Sequence, residues 1–112
     1  MFKTNSNSIV HATELQNLVA FLKRKDCDVI RIDSNSPDLL VRYKNDVAFV
    51  DLKTGKECVS SKSYEHYLRY EWTSGIPVLI FFVVTKRIVT LHEVPRKITG
   101  SAFDYGKVLW FQ

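Results

Sequence analysis

The chain has 112 residues, 46% hydrophobic, 25% charged and 12% aromatic, which is one domain with enough apolar material for its own core and excludes wholesale disorder. Sixteen Lys and Arg against twelve Asp and Glu give a net charge of +4, compatible with a polyanionic partner and insufficient to identify one. Cys27 and Cys58 form neither a disulfide framework nor a C-x-x-C or metal-ligand spacing, which points to an intracellular setting. Residues 1–7 lack the apolar stretch of a leader, and the longest apolar run, 78–84, is far shorter than the ~20 residues of a membrane helix, so no membrane partner is expected.

In chain order, Leu15, Leu18, Val19 and Leu22 recur at helical spacing, and Lys23, Arg24 and Lys25 suit the negative end of a helix dipole; the first element is a helix ending near Lys25. Thr13 with Gln16 can form a capping box at its start, or Ser8 can cap an earlier turn. A strand is expected at 27–33, then a turn-rich stretch through Pro37, then two strands at 38–43 and 47–53 joined as a hairpin. Ser60 or Ser61 can cap a second helix that stops at Gly75, with Tyr64, Tyr67, Leu68 and Trp72 as its apolar stripe. Residues 76–84 read as a central strand buried on both faces, and 88–94 as its antiparallel return. Pro95, Gly100 and Gly106 punctuate a tail that ends in a strand at 108–111. The order α-β-β-β-α-β-β, with a parallel crossover through the second helix, predicts an α/β fold with a mixed sheet.

The hairpin yields a geometric expectation. With Asn45-Asp46 as its loop, Lys44 pairs with Val47, Asp38 lies opposite Lys53 and Leu40 opposite Asp51. Residues directly opposed, or two apart on one strand, share a sheet face, so Asp38, Asp51 and Lys53 point the same way. The other face carries Leu39, Val41, Tyr43, Ala48, Val50 and Leu52, a ready-made core. Two carboxylates close together repel, and a divalent cation relieves that repulsion; hard ions such as Mg²⁺ favour oxygen ligands. The plain structural reading is an Asp38–Lys53 surface pair beside a solvated Asp51. Other chemistries find no support: His11, His66 and His92 are scattered, and no H-E-x-x-H, G-x-S-x-G, P-loop or dinucleotide fingerprint occurs. The two thiols read as one buried and one loop cysteine. Tyr70, between Arg69 and Glu71, reads as an exposed ring able to meet a substrate.

The segment VIRIDSNSPDLLVRY, followed by VAFVDLKTG and by a helix ending SGIPVLIFFV, resembles the PD-(D/E)xK nuclease superfamily over residues 13–84. Pro37-Asp38 is similar to that family's PD, Asp51-Leu52-Lys53 to its (D/E)xK, and Glu14 to the acid that many members carry on the preceding helix. In length and layout the chain is most similar to Holliday-junction resolvase-like and virus-type replication-repair nucleases. It departs from them at Leu15, where resolvases often have Arg, and on the second helix, which offers Lys62, Tyr64, His66 and Tyr67 where several related families carry Gln.

The resemblance implies a restriction-endonuclease-like fold, residues 1–112 forming a single domain with its motif region at 13–84 and a β extension at 85–112. It implies a metal-dependent endonuclease acting on DNA, branched or duplex, with junctions and flaps as candidate substrates. Mg²⁺ or Mn²⁺ would be held by Asp38, Asp51, the Leu52 carbonyl and Glu14, with Lys53 completing the catalytic set. Lys56, Lys62, Tyr64, His66 and Arg69 would contact the nucleic acid. Resolvase relatives are two-fold dimers, so a homodimer is expected, with Leu109-Trp110-Phe111 as a possible part of its interface. The alternative is a non-catalytic nucleic-acid-binding module that retains the nuclease fold; a further rival has no nucleic-acid function.

Overall fold

The computed structural model describes residues 6–32 and 37–93, with side chains from Ile9 onward. Its elements are α1 (Ser6–Arg24), β1 (Asp28–Arg31), β2 (Leu39–Tyr43), β3 (Asp46–Lys53), α2 (Ser61–Ser74), β4 (Val78–Phe82) and β5 (Arg87–Thr90). The strands form one five-stranded sheet in the order β1-β2-β3-β4-β5. Only β3 and β4 pair in parallel, across the α2 crossover; the other neighbours are antiparallel. The described residues therefore form an α/β fold with a mixed sheet flanked by two helices.

The period-2 pattern of the hairpin decides where the helices pack. Leu39, Val41, Ala48, Val50 and Leu52 join Leu79 and Ile88 beneath Leu15, Leu18 and Leu22 of α1. On the opposite face, Phe49, Val78, Ile80, Phe82 and Val89 pack with Tyr67 of α2 and with Val59. Val78, Ile80 and Phe82 are fully buried and Leu79 is 3% exposed, as a central strand covered on both sides requires. The second helix has the expected ends: Ser60 accepts from the Ser63 N–H, and Gly75, at φ 74°, closes it in the left-handed conformation that a Cβ would strain.

Several expectations change. The α1 helix already runs from Ser6, so Thr13 and Gln16 are exposed mid-helix residues and no cap forms there. The hairpin turns on Lys44-Asn45, with Lys44 at φ 56° and Tyr43 paired with Asp46. That is a two-residue shift from the expected register, which leaves every side chain on its expected face. Trp72 is 86% exposed instead of lying in the apolar stripe. Its place is taken by Glu71, seven residues after Tyr64, whose Oε2 accepts from the Val78 N–H at 2.8 Å. Tyr70 is half-buried, edge-on to Phe49 at 5.4 Å between ring centroids, and not the exposed ring expected. The first strand is an exposed edge with Ile30 62% accessible. Val84 falls outside β4. The turn-rich stretch at 33–36, the strand expected at 108–111 and the Leu109-Trp110-Phe111 segment lie outside the described residues.

A candidate carboxylate site at the end of the hairpin

Extending the observed register by one pair sets Asp38 across from Asp51, not from Lys53. The two aspartates are clasped reciprocally. The Asp38 N–H donates to Asp51 Oδ1 at 3.1 Å, and the Leu52 N–H donates to Asp38 Oδ2 at 2.9 Å. Asp51 is only 2% exposed, so the solvated carboxylate of the plain structural reading is ruled out. Its Oδ2 accepts a short hydrogen bond from the Tyr67 hydroxyl and lies 3.4 Å from Lys53 Nζ. Lys53 Nζ also sits 5.5 Å from the Tyr67 ring centroid, a cation–π contact that steers the ammonium toward the acids.

The electrostatics follow from this crowding. Burial, and then the neighbouring Asp51 charge, push the Asp38 carboxyl up to about 6, against the opposing pull of the Leu52 N–H and His11. Asp38 thus keeps a proton well above the ordinary carboxylate range. Two acids in contact need a shared proton or a cation between them, and the hard oxygen donors of Asp38 and Asp51 suit Mg²⁺ or Mn²⁺. Among the described residues, no group of three or more His, Cys, Asp and Glu side chains is gathered so as to hold a metal.

The structure brings Asp38, Asp51 and Lys53 together and leaves Glu14 elsewhere. Glu14 Oε1 lies 3.4 Å from Lys86 Nζ, in the turn before β5. The α1 residue that reaches the acids is His11, one turn earlier, with Nε2 3.3 Å from Asp38 Oδ2. The i, i+3 spacing of His11 and Glu14 puts both on one side of the helix and was the available signal for it. Of the four candidates on α2, Tyr67 faces the site, the fully buried one of the set. Lys56, Lys62, His66 and Arg69 are exposed, whereas Tyr64 is half-buried against the α2 face of the sheet.

Two further groups had no sequence signal. The Glu57 side chain is 7% exposed and neither carboxylate oxygen has a hydrogen bond; Arg87 Nη1 lies 3.8 Å from its Oε1. Arg87 pairs with Phe82, which pairs with Lys53, so all three share one row of the sheet and one face. Cys27 is buried, and burial with the adjacent Asp26 and Asp28 charges raises its thiol, which disfavours the reactive thiolate. No described helix is long and apolar enough to cross a membrane. Sequence comparison matches the chain to no family model and to no curated protein.

Proposed function

We propose that the protein is a Mg²⁺- or Mn²⁺-dependent endonuclease that hydrolyses DNA phosphodiester bonds, a member of the PD-(D/E)xK superfamily in the line of resolvase-like or virus-type replication-repair nucleases. The observation that carries this is the contact between Asp38 and Asp51 beside Lys53, with a continuous apolar core behind them. When bound, the cation polarises the scissile phosphate and lowers the pKa of a bound water. Asp38, Asp51 and the Leu52 carbonyl would hold it. His11 stands ready on the α1 side, while Glu14 enters only on the resemblance, since its carboxylate meets Lys86. Tyr67 orients the Asp51 carboxylate through its hydroxyl. Lys53, about one-third exposed, offsets the charge that builds on the phosphoryl oxygens in the transition state. Exposed Lys and Arg bind the backbone without reading sequence, and a homodimer would present two such sites to two strands.

One observation favours the second reading, a nucleic-acid-binding module without catalysis. Both Asp51 oxygens already accept hydrogen bonds from the protein. The two readings separate when pure protein is incubated with junction, flap, duplex and single-stranded DNA in Mg²⁺, Mn²⁺ and Ca²⁺. Cleavage in Mg²⁺ or Mn²⁺ that is lost in Asp51→Asn is expected. Binding of these substrates with no cutting in any metal would leave the binding module.

A further inference from the structure

On the α2 face of the sheet, two residues along β3 from Asp51, α2 and the middle of β3 line a cleft of about 260 Å³ with Phe49, His66, Arg69, Tyr70, Thr73 and Ser74. Its walls are rings: Tyr70 meets Phe49 edge-on at 5.4 Å and His66 at 5.2 Å between centroids. Phe49 lies two residues before Asp51 on the same strand and the same face, a rise of about 6.7 Å. His66 in turn sits 5.9 Å, ring to ring, from Tyr67, the hydroxyl partner of Asp51. The rim is basic. Lys62, His66 and Arg69 recur at i, i+4 and i+7 along the exposed flank of α2. An apolar aromatic slot beside the Arg69 guanidinium, with the Lys62 ammonium further along the same helix, complements a flat base attached to a phosphate chain, and an apolar peptide side chain would leave those two charges unmatched.

We propose that the cleft receives one unpaired nucleobase, with its sugar–phosphate chain running along Lys62, His66 and Arg69 and the neighbouring phosphodiester directed toward the end of the hairpin where Asp38 and Lys53 lie. This deepens the nuclease reading and rests on it: the substrate is a single strand, or a branched nucleic acid with an unpaired nucleotide, and not blunt duplex. Stacking on aromatic side chains tolerates any base, so the slot selects for an unpaired nucleotide and not for sequence.

The test uses the wild-type protein and needs no cleavage. Fluorescence anisotropy with a labelled oligothymidylate, in EDTA, would follow affinity as a single abasic residue is walked along the strand. Stacking energies of ~1–3 kcal/mol per base convert to a loss of about 5- to 150-fold at one position, against about two-fold or less elsewhere. Tyr70→Leu, confirmed folded by circular dichroism, should abolish that positional penalty, and Arg69→Ala should weaken every oligonucleotide alike. A flat abasic profile, duplex bound as tightly as single strand, or no binding to either would overturn the proposal. Failure of the nuclease reading would show separately, as an intact abasic profile without cleavage in Mg²⁺ or Mn²⁺.

Discussion

The two faces of the β2–β3 hairpin are made by alternate residues of the same two strands and behave in opposite ways. Toward α1, Leu39, Val41, Ala48, Val50 and Leu52 are at most 2% exposed and pack in one apolar cluster. Each large side chain there stabilises the fold by about 1.5–3 kcal/mol through burial. Toward α2, the same strands carry Asp38, Asp51 and Lys53, held by a tyrosine hydroxyl and two backbone N–H groups. One face is a core that would accept other apolar residues of similar volume; the other holds buried charge that opposes folding. The apolar face anchors the hairpin, and Asp38 sits where burial and the Asp51 charge disfavour its ionised form.

The strongest way to break this comparison is to remove charges from the acidic face and look for a change in chemistry. Asp51→Asn should abolish metal-dependent cleavage, and Lys53→Ala should lower its rate by about 10²–10³ while DNA binding persists. Rates within a few-fold of wild type for both variants, measured in gel assays on protein free of contaminating nuclease, would falsify the site assignment. On the apolar face the expectation is reversed. Leu22→Ala, at a fully buried position, should cost about 2–5 kcal/mol in urea unfolding while the surviving folded fraction keeps its cleavage rate.

A fourth substitution separates stability from function at one residue. In the folded protein Asp38 titrates at about 6, against 3.8 as its ordinary value. The folded state therefore binds more protons than the unfolded chain between about pH 4 and pH 6. Metal-free stability should fall as pH rises through that window and flatten above it. The penalty at neutral pH is on the order of 3 kcal/mol at most. Asp38→Asn, which keeps an acceptor for the Leu52 N–H, should stabilise the metal-free protein near pH 7.5, change little near pH 4, and eliminate cleavage. Denaturant melts at the two pH values would show it; equal effects at both would mean that Asp38 carries no such penalty. The smallest expected effect is on the exposed end of the hairpin, where Arg42 Nη2 lies 2.6 Å from Asp28 Oδ2 with both side chains more than half exposed. Arg42→Ala should change stability by under about 1 kcal/mol and leave activity unchanged.

The elements themselves were legible where local chemistry is decisive. Ser60 and Gly75 bracket α2, and the apolar runs mark β3 and β4. The face shared by Asp38, Asp51 and Lys53 was legible too, because alternation survives a two-residue slip of the hairpin. For the same reason the pattern could not choose the register, and it set Asp38 against Lys53 when Asp51 is its true opposite. Trp72 left the expected apolar stripe for solvent, and Glu71 beside it turned inward to the Val78 backbone N–H, a partner that no helical pattern on α2 reveals.

By itself the sequence determined the alternation that aims two aspartates and a lysine to one side of an apolar hairpin, since side-chain direction on a strand depends only on parity. Tertiary structure alone decided what meets them. Tyr67 reaches Asp51 because α2 packs over β3 and β4, and His11 reaches Asp38 because α1 runs long enough to bring its first turns past the end of β2. Glu14 was drawn to Lys86 by a turn seventy-two residues away. Contacts of that kind depend on how elements pack in space, which spacing along the chain does not encode.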